Sequence, residues 1–361
     1  MQYLGVPIAS KRLSALECAK LVDRVIERIR GVGTRKLSYA GRLVLVKSVL
    51  STLHCYWARI FILPASILNK VEALCRSFLW QGKESAHSPP LISWSTWKEG
   101  GLGIIDLRRW NRAALGKYIW WISHKKDHLW VKWVHSIYIK NSDWMSYTPK
   151  PYSSWSWRKI CAVKDLLQEG FHGHWWLKEG NDYSIQQGYR WLGEEEVPKC
   201  WAKFVWNNMC LPKHCFIGWI AANERLLTND RLNHFHTHSD SLCYLCGLVD
   251  EDYSHLFFNC NYSKRCVKLL SLCVDIIIPT VDVIQWWIKL RIRSLLKKKI
   301  LAALLQGLVY KIWEARNHCR IEFVIASPEL FVSHVRKEVM SRVDFICNPA
   351  DRARIRQWLH Q

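Results

Sequence analysis

Cys243-Tyr244-Leu245-Cys246-Gly247 and, after an interval of eight residues from the second thiol, His255-Leu256-Phe257-Phe258-Asn259-Cys260 read together as C-x2-C-x8-H-x4-C. Two thiols two residues apart can grip one metal ion from a tight turn. Gly247 lets the backbone double back, having no Cβ to forbid a positive φ. The loop then returns an imidazole and a third thiolate. Three sulfurs and one nitrogen suit a closed tetrahedral zinc site, structural rather than catalytic because no position is left for water. The second pair sets a condition. On a continuous helix His255 and Cys260 would point about 140° apart. They converge only if a short helix starting near His255 stops before Cys260, and Asn259, which tolerates the left-handed conformation, is the expected stop. The expectation is one structural Zn2+ held by Cys243, Cys246, His255 and Cys260.

The rest of the chain has room for more than this site. Its 361 residues allow two or three domains, and half of them are apolar, so a packed fold is expected and not a disordered tail. The 52 Lys+Arg stand against 30 Asp+Glu, a net charge of +22. Such an excess is the footprint of a polyanion-binding protein, with RNA or DNA the first candidate. The 14 cysteines do not imply disulfides. The opening Met1-Gln2-Tyr3-Leu4-Gly5-Val6-Pro7-Ile8 lacks the basic flank and apolar length of a secretory signal. An intracellular protein, nuclear or cytoplasmic, with free thiols is therefore expected. The longest apolar stretch, residues 269–290, is broken by Asp275, Pro279 and Asp282, so no membrane span is expected.

Periodicity makes the chain mainly α. Ser14-Ala15-Leu16-Glu17 is a capping box opening a helix. Its apolar residues Leu21, Val22, Val25, Ile26 and Ile29 lie on one face, and Lys20, Arg24, Arg28 and Arg30 on the other. A second helix starts near Ser38. Pro64 breaks the chain, and Ser66 can cap a third. Residues 1–60 carry 11 Lys+Arg against Glu17, Asp23 and Glu27, a net +8. Lys20, Arg24, Arg28, Arg35, Lys36, Arg42 and Lys47 are the candidate nucleic-acid contacts.

Between 86 and 169, Ser88-Pro89-Pro90 marks a linker and Gly100-Gly101-Leu102-Gly103 a turn. A helix follows with Trp110, Tyr118, Trp120 and Trp121 among Arg108, Arg109, Arg112 and Lys117. Those rings suit either base stacking or a helical core, and the core is the commoner use. Tyr183-Ser184-Ile185 reads as a short strand. Asp250-Glu251-Asp252 reads as a solvated loop adding negative charge near the metal. His234, His236 and His238 could also be ligands, although surface histidines are commoner. Lys289, Arg291, Arg293, Lys297, Lys298 and Lys299 form a basic run, with Leu295, Leu296, Ile300, Leu301 and Leu304 as its apolar face.

Several of these segments resemble the C-terminal part of plant LINE-type (non-LTR) retrotransposon reverse transcriptases. Tyr3-Leu4-Gly5-Val6-Pro7 is similar to the stretch after the catalytic palm. Gly41-Arg42-Leu43, Lys47-Ser48-Val49-Leu50 and Phe78-Leu79-Trp80 resemble the thumb, and Gly100 to Ile104 with Asn111 the connector. Leu211-Pro212-Lys213, Phe216, Trp219, Arg225-Leu226-Leu227-Thr228 and Arg231-Leu232 lead into the Cys/His cluster as in the family's zinc-binding domain. Ile312-Trp313-Glu314-Ala315-Arg316-Asn317 resembles the segment before a ribonuclease H domain. The resemblance implies a helical thumb-like region at 1–85, a Trp-rich connector at 86–169, a small α+β zinc-binding domain at 170–266, and C-terminal helices at 267–361.

It also implies thumb helices that hold a template–primer duplex and a zinc domain that helps hold RNA. One departure bears on function. A polymerase needs an aromatic-x-Asp-Asp turn to hold two Mg2+ ions, and no such turn occurs here. The segment after Asn317 is too short and too helical for a ribonuclease H domain. The expectation is a non-enzymatic, nucleic-acid-binding fragment of a polymerase. The alternatives are a structural module that docks a separate palm-bearing chain, or the remnant of a decayed element.

Overall fold

A computed structural model describes residues 2–3, 6–7, 14–31, 37–50, 57–83, 91–92, 103–170, 182–193, 199–234, 241–280 and 283–360. They fall into two compact units, Met1–Pro90 with Trp94–Val197, and Leu91–Ser93 with Pro198–Gln361. Both are helical. The one sheet among the described residues is a short antiparallel pair, β1 (Gln2–Tyr3) with β2 (Val6–Pro7), in the register Gln2↔Pro7 and Tyr3↔Val6.

The first unit contains α1 (Ala15–Gly31), α2 (Tyr39–Leu45), α3 (Ala65–Gln81), α4 (Leu107–Ser123), α5 (Leu129–Val134), α6 (Trp155–Gly170) and α7 (Ile185–Trp191). The capping box forms as its sequence requires. Glu17 N–H bonds Ser14 Oγ at 3.2 Å, and Ser14 N–H bonds the Glu17 carboxylate at 2.7 Å. Ser38 caps α2 in the same way, accepting from Gly41 N–H at 3.3 Å. The third helix departs from expectation. It begins at Ala65 with Pro64 at its N-cap, so Ser66 lies inside it. A proline has no N–H to leave unpaired, and its fixed φ suits a helix start.

Helix α1 packs on α3, and α4 packs on α6 and α7. Trp120, Trp144 and Trp157 are buried there with Leu115, Ile119 and Cys161, so these aromatics serve a core. The Trp157 ring stacks on Tyr138 at 4.7 Å. Lys164, only 1% exposed, lies beside this core. Its ammonium donates to the carbonyls of Trp144, Met145 and Tyr147 at 2.8–3.3 Å, which meets the cost of burying a charge. Asn111, one of the connector residues, accepts from Leu63 N–H at 3.0 Å and donates to the carbonyls of Ala58 and Phe61 at 2.7 and 2.8 Å. It locks the turn before α3 to α4.

The strand expected at Tyr183-Ser184-Ile185 is absent. Ser184 is the N-cap of α7 and Ile185 its first residue. Tyr183 is held by a 2.6 Å hydrogen bond from its hydroxyl to the Ala113 carbonyl. It fits because Gly116 and Gly188 flank it: a Cβ at either would come within 2.3 Å of that hydroxyl.

The second unit contains α8 (Ala202–Val205), α9 (Pro212–Ala222), α10 (Asn229–His234), α11 (Asn261–Val274), α12 (Val283–Lys289), α13 (Leu295–Glu322), α14 (Pro328–Ile346) and α15 (Pro349–His360). The long α13 is its axis, packed by α9 and α14, while α11 lies on α14. Ile300, Leu301 and Leu304 are buried as their periodicity requires, but Leu295 is 68% exposed. In the α+β zinc segment, the β component among described residues is a single bridge, Leu242↔Asp250. No helix among the described residues is long and apolar enough to cross a membrane. The linker at Ser88-Pro89-Pro90 and the turn at Gly100-Gly101-Leu102 lie outside the described residues.

Candidate metal centre

The loop that carries the first two thiols is a hairpin tightened on itself. Cys243 N–H bonds the Val249 carbonyl at 2.8 Å, and Gly247 N–H bonds the Cys243 carbonyl at 2.7 Å. Gly247 takes φ +66°, a conformation that side chains rarely adopt. The second half is set by Asp252, whose carboxylate accepts from His255 N–H at 2.5 Å. His255–Asn259 is then one wide helical turn, closed by Cys260 N–H on the His255 carbonyl at 2.6 Å. This i+5 bond makes the predicted stop before Cys260. Asn259 is not among the residues of positive φ, because the widened turn needs no left-handed residue. Cys260 is extended, at φ −61° and ψ 134°, and is the N-cap of α11.

These turns bring the four predicted ligands together. Their donor atoms all lie within 4.8 Å of one another, and Cys246 Sγ is 3.3 Å from His255 Nε2. Ligands at tetrahedral Zn–S distances lie about 3.8 Å apart, so the cluster needs only a small contraction around an ion. Cys243 and Cys260 are fully buried, His255 is buried and Cys246 half-buried. Hydrogen bonding between the thiols of Cys243 and Cys260 lowers Cys260, and that bond, with burial, pushes Cys243 up. The N–H groups of Tyr262 and Ser263, at the start of α11, also favour the Cys260 thiolate, and those of Leu245 and Cys246 favour the Cys243 thiolate. Three thiols and one imidazole gathered this closely are a donor set that suits zinc.

Beyond the ligands, Glu251 corrects the solvated-loop reading. It is 1% exposed. Its carboxylate accepts from Arg316 Nη2 at 2.7 Å and Nε at 2.9 Å, and from Asn229 N–H at 3.0 Å. Arg316 also donates to Asn229 Oδ1 at 2.7 Å, and its guanidinium lies over the rings of Tyr244 and Trp313. Cys319, one turn further along α13, donates to the Tyr244 carbonyl at 3.0 Å. The metal loop is thus clamped onto α13 and α10 by one buried ion pair. The sequence holds both partners, an acid flanked by two others between the ligand pairs and an arginine 65 residues away, but nothing in it pairs them.

His234 is exposed, while His236 and His238 lie outside the described residues. Lys20, Arg24 and Arg28 are exposed, four apart along α1. Arg42 donates Nη1 to the carbonyls of Leu79 and Trp80, both at 3.3 Å, and so closes the C-terminus of α3. Lys47 is half-buried. Arg35 and Lys36 lie outside the described residues.

Residues 183–266 match a family described as zinc-binding in reverse transcriptase. This segment is similar to the zinc-binding domain of reverse transcriptases. The chain is also similar to two proteins of Arabidopsis thaliana. It is 34% identical, over 183 residues, to one provisionally named a ribonuclease H protein, a match covering 48% of this chain and 28% of that protein. It is 29% identical, over 118 residues, to an uncharacterised mitochondrial protein, covering 30% of this chain and 75% of the other. The chain therefore spans under a third of the first relative's length. No solved structure matches it. The zinc-binding domain and its plant relatives are typical of retrotransposon-derived proteins, in keeping with the resemblance carried by the motifs.

Proposed function

We propose that the chain is a zinc-stapled, nucleic-acid-binding part of a plant non-LTR, LINE-type reverse transcriptase, with template RNA as its ligand. Residues 1–85 serve as a thumb-like region, 86–169 as a connector, 170–266 as the zinc domain and 267–361 as a basic C-terminal region. One structural zinc is held by Cys243, Cys246, His255 and Cys260. Its role is to fix the loop; the full set of protein donors leaves no open position for chemistry. The function is binding rather than catalysis, since the sequence has no paired-aspartate turn to hold two metal ions.

The observation that carries the RNA reading is the net charge of +22 in a chain with this domain. Lys20, Arg24 and Arg28 support it as an exposed basic row on α1. The test is binding of a labelled single-stranded RNA at two salt concentrations. If six to ten phosphates are neutralised, affinity should fall by roughly 10³–10⁵ between 50 and 200 mM salt. Absence of binding, or binding with no salt slope, contradicts the proposal.

A second reading, docking of a palm-bearing protein chain, has one observation in its favour. Leu129, Trp133 and Ile137, spaced four apart, are 48–87% exposed. Stable complex formation with a reverse-transcriptase palm, without RNA binding, would select it.

A further inference from the structure

Away from the metal, α8, α12 and the start of α13 enclose a groove of about 870 Å3. Lys199, Lys203, Lys298 and Lys299 line it with Trp206 and Trp287, and no acid is among its lining residues. Lys199 and Lys203 are exposed. Among the described residues, neither they nor Lys299 pairs with a carboxylate.

The groove is built before any ligand arrives. Lys298 Nζ donates to the carbonyls of Ile288 and Leu290 at 3.1 and 2.8 Å and lies over the Trp287 ring. Trp287 Nε1–H returns a bond to the Lys298 carbonyl at 3.1 Å, and Asn207 Nδ2–H bonds the Lys299 carbonyl at 3.1 Å. These bonds fix the end of α12 and the turn after α8 onto α13.

Two features say what fits there. Lys297, Lys298 and Lys299 are the third to fifth residues of a 28-residue helix that has no acid in its first turn. Cations at a helix N-terminus oppose its macrodipole, and an anion relieves both. Ile288 and Leu295 also line the groove and are 37% and 68% exposed amid the lysines. A free phosphate gains nothing from exposed apolar side chains, and an apolar ligand gains nothing from the ammonium groups of Lys199, Lys203 and Lys299. A ligand with phosphates along one side and flat, unpaired bases along the other uses both. A duplex hides its base faces.

We propose that this groove binds single-stranded polynucleotide, with phosphates on Lys199, Lys203 and Lys299 and base faces over Leu295 and Ile288. The proposal rests on the nucleic-acid reading and gives it a site in the second unit, apart from the α1 residues.

The test is fluorescence anisotropy on the full zinc-loaded chain with three probes of equal length: oligo(U) RNA, oligo(dT) and a blunt DNA duplex. Lys199→Gln/Lys203→Gln/Lys299→Gln should keep its metal and its helical circular dichroism. It should weaken oligo(U) binding roughly 100-fold at 100 mM salt and flatten the log–log salt slope by about 2, as expected for three single-strand contacts. Leu295→Glu, at an exposed position, should also weaken single-strand binding and leave duplex binding near that of the wild type. Lys20→Gln/Arg24→Gln/Arg28→Gln is the comparison variant. If the groove triple variant binds oligo(U) like the wild type, or loses single-strand and duplex binding equally, the groove assignment is overturned while the wider reading stands. If the wild-type chain binds none of the three probes, the nucleic-acid reading itself falls.

Discussion

Around Trp157 the chain is held by apolar contact; around Cys243 it is held by four donor atoms. In the first unit, three tryptophans and their aliphatic neighbours are withdrawn from water. In the metal loop, by contrast, Leu242, Leu248 and Val249 are 41–73% exposed. Leu245, Leu256 and Phe257 are buried beside the ligands, but the turn that follows Cys246 is not packed by apolar side chains. Its shape comes from the ligands, a left-handed glycine and one ion pair reaching back from α13. One region should therefore ignore the metal, and the other should depend on it.

The largest effect expected is from Cys246→Ser. Structural zinc contributes roughly 10–16 kcal/mol of apparent binding energy in small finger peptides. The variant should lose the metal, and amide hydrogen exchange should quicken across the loop and the start of α11. The amides of α4 and α6 should keep their protection. Equal loss in both regions would erase the distinction. Cys161→Ser and Cys266→Ser, outside the cluster, should each retain the metal.

Trp157→Ala is the converse experiment. Removing a buried indole costs about 4 kcal/mol, read in a denaturant melt, and zinc content should not change. A drop in bound metal would mean that the two regions are not independent.

Arg316→Met sharpens the comparison inside the second unit. It strands the buried Glu251 carboxylate, which costs roughly 3 kcal/mol, and should weaken zinc retention against a competing chelator. Adding Glu251→Gln should restore part of the loss, and additive losses would show that the pair does not act as a unit. The smallest effect belongs to Gly247→Ala. No atom lies within 4 Å of the new methyl group, so the cost is backbone strain alone, about 1 kcal/mol, seen as a small shift in the same chelator competition.

How far these features could be read from the sequence follows from the distance over which each is decided. Ser14 with Glu17 and Ser38 with Gly41 act within three residues, and both caps form as written. The four metal ligands lie within 18 residues, and their types leave little else for them to do. Tyr183 misled because its setting comes from Gly116 and the Ala113 carbonyl, about 70 residues away. Glu251 misled for the same reason. Between Asp250 and Asp252 it reads as one more solvated acid, and only the fold shows Arg316 opposite it. Lys164 gave no signal either, since its partners are carbonyls that a sequence does not display.

The most direct measurement is the zinc content of the purified wild-type chain by native mass spectrometry, alongside circular dichroism before and after chelation. If zinc is the staple of the loop, each chain carries one ion, and stripping it unfolds the metal loop while the helices of the first unit persist. A chain that is metal-free as isolated yet keeps its loop protected from exchange would contradict that.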